Sequence, residues 1–101
     1  MLKYVHCHNK EWGYWGTFKD QFTICYRING YFVEFSVACC SKKDQYNKKK
    51  GRMIATKRMQ NLAFWVLPKM KAERTTVQCL IQLIEQNPKA FAKNFNLIDE
   101  V

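Results

Sequence analysis

The chain is short of the residues that interrupt structure and of negative charge. Two prolines and four glycines in 101 residues exclude a collagen-like, Pro-rich or linker-dominated protein. No apolar run approaches the ~20 residues that a bilayer-spanning helix requires. The opening residues, MLKYVHCHNK, lack the apolar core of a secretory signal, so the cytoplasm is the expected compartment. Five cysteines are an odd number, Cys39 and Cys40 are adjacent, and no C-x-x-C occurs. That pattern does not read as a disulfide framework and predicts reduced thiols.

What is present is apolar bulk and concentrated positive charge. Apolar residues make up 48% and aromatics 15%, enough for one hydrophobic core in a single domain spanning residues 1–101. The formal charge is +9, and its distribution is uneven. Residues 42–74 hold eleven basic side chains against Asp44 and Glu73, which leaves +9; elsewhere six basic residues balance six acidic ones. Charge gathered in this way predicts a polyanionic partner, nucleic acid or an acidic protein surface.

The organising element is the stretch QFTICYRINGYFVEFSVAC, residues 21–39. Two β-branched and aromatic runs flank Asn29-Gly30, the composition of a two-residue hairpin loop. Such a loop pairs residues whose numbers sum to 59, placing Ile28, Tyr26, Ile24 and Phe22 opposite Tyr31, Val33, Phe35 and Val37 on an apolar face. The other face carries Arg27, Cys25, Thr23 and Gln21 opposite Phe32, Glu34, Ser36 and Ala38, mostly polar. This predicts a sheet covered on one side. Glu34 is expected to pair with Arg27 or with a basic helix residue.

Around the hairpin, residues 2–8 alternate as a first strand. Residues 12–18 place Trp12, Tyr14, Trp15 and Phe18 around two glycines and read as a short irregular strand. Ser41 and Asp44 have capping-box spacing, predicting a helix over residues 42–61 with Gly51, Ile54, Ala55, Met59 and Leu62 on its inner face. Gly51 costs a helix interior ~1 kcal/mol relative to alanine, which implies a backbone packed closely on the sheet. Residues 62–67 read as a buried strand ended by Pro68. A helix follows over residues 75–86, and Asn87-Pro88 starts a short third one edged by Phe91 and Phe95. The fold class is α+β: an antiparallel sheet built on a central hairpin, with two to three helices packed on one face.

Chemistry is sparse. The carboxylates offer no catalytic pair, and there is no phosphate-cradling glycine loop, H-E-x-x-H or G-x-S-x-G, so an enzyme is not expected, nor a cofactor. His6, Cys7 and His8 with Cys39 and Cys40 offer zinc-ligand types without zinc spacing, and no metal is expected. The candidate contact surface is Lys42, Lys43, Lys48, Lys49, Lys50, Arg52, Lys57 and Arg58, which would neutralise phosphates, with Tyr46 as a stacking ring. The bland alternative is a solvated helix face. Trp12, Tyr14 and Trp15 are candidate aromatic anchors for bases or for a protein partner, although covering one end of the core is the simpler role for them.

One segment carries a resemblance. Cys40-Ser41-Lys42-Lys43-Asp44-Gln45-Tyr46, then Gly51-Arg52-Met53-Ile54-Ala55 and Arg58, resembles the C-S-x-K-D-x-[FY]…G-R-x-I-A segment of small uncharacterised bacteriophage proteins. It covers about one fifth of the chain. The resemblance implies a phage or prophage origin and a host-directed role, and it brings no activity and no assigned site. Two functional expectations follow. One is a non-enzymatic protein binding nucleic acid or a nucleoprotein complex through the basic helix. The other is a host-takeover or anti-defence (anti-CRISPR-like) inhibitor docking on an acidic surface of a host protein. No membrane partner is expected, and an exposed edge strand offers a route to a homodimer.

Overall fold

A computed structural model describes residues 1–8, 18–41, 47–87 and 90–91. Within these residues four strands and two helices follow in the order β1 (Lys3–His8), β2 (Phe18–Asn29), β3 (Phe32–Ser41), α1 (Lys48–Gln60), β4 (Trp65–Pro68) and α2 (Glu73–Gln86), and Ala90 and Phe91 are also helical. The strands form one antiparallel sheet in the order β1-β2-β3-β4. The α+β class and the central hairpin are as expected.

The hairpin register differs from expectation. Asn29 lies opposite Phe32, Ile28 opposite Val33 and Arg27 opposite Glu34, so the numbers sum to 61 and the loop residues are Gly30 and Tyr31. Gly30 has φ +63, which glycine adopts without the Cβ penalty. Every partner moves by two, and because strand side chains alternate with period two, the apolar set keeps its face. Arg27 Nε donates to the Glu34 carboxylate across this register, as anticipated.

A second correction concerns the layers: the two helices lie on opposite faces. Phe22, Ile24, Tyr26, Val33, Phe35 and Val37 form a core with Leu80 and Ile84 of α2 and with Phe91. Trp65 stands 5.8 Å from Phe35 and 4.6 Å from Phe91 between ring centroids. The reverse face packs Cys25 and Ala38 against Ala55 and Met59 of α1. Thr23 and Ser36 are fully buried there, and Ser36 Oγ donates to the Ala55 carbonyl at 2.6 Å. This face reads as polar because its residues are small and hydroxylated. Smallness is what lets a helix settle on it, and a buried hydroxyl needs only one partner to be tolerated.

Gly51 behaves as its placement implies. A Cβ built there would lie 2.4 Å from Thr23 Oγ1 and 3.2 Å from Thr23 Cβ. Helix α1 begins at Lys48 and not at residue 42: Asn47 is extended, with φ −141 and ψ 119, and its side chain accepts from the amides of Lys49 at 2.8 Å and Lys50 at 3.3 Å. Ser41, expected to cap this helix, instead ends β3 opposite Phe18, and Asn47 is the cap; Asp44, residues 12–17 of the strand expected before the hairpin, and Phe95 lie outside the described residues. Leu62, expected on the inner face, is instead exposed with φ 60 beyond the helix end. The run after it yields only the four-residue edge strand β4, half-exposed at Val66, and not a buried strand. Helix α2 begins at Glu73, two residues before its expected start. The Glu73 carboxylate accepts from Lys3 Nζ at 2.8 Å on both oxygens and from Tyr26 Oη at 3.1 Å, which ties β1 to the α2 layer. Among the described residues, no helix is long and apolar enough to cross a membrane.

Candidate nucleic-acid interface

Helix α1 contacts mainly β2 and β3, so its outer face is turned to solvent. Lys48, Lys49, Lys50, Arg52 and Lys57 are all exposed along it. Among the described residues, no carboxylate comes within salt-bridge distance of any of them. The first turn contains no acidic residue, so three lysines sit at the helix end where the backbone dipole is already positive. Both sources of field favour an anion there.

The other predicted residues divide. Arg58 leaves the surface set: it is 2% exposed, and its Nη1 donates to the Val37 carbonyl. Helical phase explains this, since Arg58 follows Gly51 by seven residues, two turns on and on the same buried side. Lys42, Lys43, Tyr46, Trp12, Tyr14 and Trp15 lie outside the described residues.

Structure adds a feature that charge counting missed. Lys49, Arg52, Met53, Thr56, Lys57 and Gln60 form one stripe along α1 and, with Tyr4 of β1, line an open furrow of about 380 Å³. The Tyr4 hydroxyl is 2.6 Å from Thr56 Oγ1, and Thr56 Oγ1 donates in turn to the Arg52 carbonyl at 2.7 Å. With the Thr56 proton used in that way, Tyr4 is the donor to Thr56, and the chain of hydroxyls ends on backbone. The i, i+3, i+4, i+7, i+8 spacing of the stripe was readable in the sequence. Its pairing with β1 was not, because that depends on which face α1 covers.

His6 reports on the field at this site. Its Nδ1 is 3.0 Å from Thr23 Oγ1, and its pKa is lowered from 6.5 by burial first, then by the charges of Lys48 and Arg52. The sign follows from linkage. The unfolded chain takes up a proton near pH 6.5 while folded His6 resists it, so this contribution is whole above that pH and declines below it. The decline levels off once folded His6 is itself protonated. Urea midpoints measured between pH 7.5 and pH 5 should therefore fall in the wild type and fall less in His6→Gln. The Glu73 carboxyl, held below its usual 4.5 chiefly by its hydrogen bonds from Lys3 and Tyr26, loses its contribution only in a more acidic window. An equal fall in both proteins would contradict this account of His6.

The sheet separates the metal-ligand types. His6, opposite Thr23, lies on the α1 side, whereas Cys7 and Cys39 pack against the α2-side core. Burial, with a smaller effect from Glu85, pushes the Cys7 thiol up to about 12. No group of three metal-ligating side chains converges among the described residues. Cys7, Cys25, Cys39 and Cys79 are free thiols. No protein-family model, curated protein or solved structure matches this chain.

Proposed function

We propose that this protein is a non-enzymatic binder of nucleic acid, alone or within a nucleoprotein complex, and that the solvent face of α1 is its contact surface. The observation that carries the reading is the set Lys48, Lys49, Lys50, Arg52 and Lys57, exposed together with no neutralising carboxylate among the described residues. A cationic face of this kind gains by displacing the counterions condensed on a phosphate backbone, and it does so without reading sequence. The phage-like segment overlaps this helix and suits a host-directed setting in a bacterial cytoplasm.

The test is fluorescence anisotropy with labelled oligonucleotides over a salt series. If all five cations contact phosphates of a single strand, log K should fall against log salt with a slope of about −3.5, roughly a hundredfold between 50 and 200 mM. Lys49→Glu with Lys50→Glu should weaken binding about tenfold or more and flatten the slope by about 1.4. Affinity and slope unchanged by that pair would refute the reading. Capture from host lysate of one dominant protein that survives nuclease would instead move α1 onto an acidic protein surface.

A further inference from the structure

We infer that the furrow between α1 and β1 receives an unpaired nucleobase, so that the favoured ligand is a single strand and not a duplex. This rests on the reading of α1 as a nucleic-acid surface and narrows it.

The furrow differs from a bare cationic face. The exposed cations Lys49, Arg52 and Lys57 form its rim, and Tyr4, Met53, Thr56 and Gln60 complete its lining. Met53 is 60% exposed in the middle of a lysine-rich helix, where a purely electrostatic surface has no use for an apolar side chain. At about 380 Å³, the space is at the small end of ligand pockets and suits one base with part of its sugar.

A duplex presents phosphates to such a furrow and keeps its bases stacked and paired. It would touch the cations and leave the apolar walls uncovered, unless it extruded a base at the cost of unstacking. A single strand offers the base freely and places its flanking phosphates at the rim. On the helix the lining runs from Lys49 to Gln60, about 16 Å at 1.5 Å per residue, which is the reach of a few nucleotides of extended strand.

The two hydroxyls on the walls are already committed. Tyr4 donates to Thr56, and Thr56 donates to the Arg52 carbonyl. That chain fixes the ring before a ligand arrives, so little side-chain freedom remains to be lost on binding. It also removes the hydroxyl protons that would read a base edge, leaving the Gln60 amide as the one uncharged polar side chain of the lining without such a commitment, so sequence preference should be weak, as at stacking sites.

The experiment compares four labelled probes of equal length by anisotropy at 50 mM salt: a DNA single strand, an RNA single strand, a DNA duplex, and an abasic sugar-phosphate strand. Each is measured with wild type and with Met53→Gln, which keeps the length, the charge and the helix-forming tendency of the side chain. The wild type should bind either base-bearing single strand at least fivefold more tightly than the abasic strand and the duplex. Met53→Gln should lose about three- to tenfold on base-bearing strands only, its unchanged duplex affinity certifying the fold. A duplex bound as tightly as the single strand, or Met53→Gln without effect on any probe, overturns the furrow while leaving the cationic surface standing. Failure of all four probes to bind overturns both.

Discussion

Replacing Arg58 by alanine is expected to destabilise the protein by about 2–4 kcal/mol and to leave the affinity of the folded molecule for nucleic acid unchanged. The guanidinium is buried at 2% exposure between α1 and the sheet, with Nη1 donating to the Val37 carbonyl. A hydrogen bond from a charged donor contributes about 1.5–3 kcal/mol, and the aliphatic stem adds packing that alanine cannot replace. Thermal unfolding should shift down by about 10 °C or more for a domain of this size. Arg58→Met, which keeps the volume and removes the charge together with its desolvation cost, should lose less than alanine. The neighbouring cation supplies the contrast. Lys57→Ala, at an exposed position on the furrow rim, should leave stability within about 0.5 kcal/mol and weaken binding severalfold. Denaturant titration and anisotropy on the same samples separate the two effects. An Arg58→Ala protein of unchanged stability and reduced affinity would return Arg58 to the binding surface.

The pair also shows how much of this molecule was legible in its sequence. Period-two alternation in the hairpin identified the buried set Phe22, Ile24, Tyr26, Val33, Phe35 and Val37 correctly, even though the register moved by two, because parity and not partner decides the face. Helical phase placed Gly51, Ala55 and Met59 inward, and the same phase placed Arg58 with them. Assigning Arg58 to the surface followed residue type over phase. What the sequence could not convey was the second covered face. Thr23, Cys25, Ser36 and Ala38 carry too little apolar area to register as a core stripe, yet they are the surface on which α1 lies. Once a helix is known to cover β2 and β3 there, β1 becomes a half-covered edge, and Tyr4 becomes one wall of a furrow. The cations of the site could be counted from the sequence alone. Their apolar neighbours Tyr4 and Met53 acquire meaning only from the layer order, a long-range property that no local pattern encodes.

Gly51→Leu should then be the most damaging single change on α1, with an expected loss of about 3 kcal/mol or more, near the upper end of overpacking costs. Even the first added carbon would sit 2.4 Å from Thr23 Oγ1 and 3.2 Å from Thr23 Cβ. Thr23 is fully buried and β-branched, so its side chain has few rotamers into which to retreat. Gly51→Ala is the finer test because two effects oppose. Alanine gains up to about 1 kcal/mol of helix propensity, while the clash forces α1 away from the sheet. The clash should win by about 1–2 kcal/mol, since it lies well inside contact distance against a stiff neighbour. Thr23→Ala, costly by itself, should cost markedly less in the Gly51→Ala background, and that coupling identifies the contact as the cause. Function should follow the same displacement. Gly51 sets the height of α1 above the sheet, and this height brings Thr56 within 2.6 Å of the Tyr4 hydroxyl. Lifting the helix breaks that bond and parts the walls of the furrow while the lysines stay on the outer face. Folded Gly51→Ala protein is therefore expected to retain salt-dependent binding to duplex and to lose its preference for single strands. If Gly51→Ala proves as stable as wild type and keeps that preference, close packing at Gly51 is not what shapes the site.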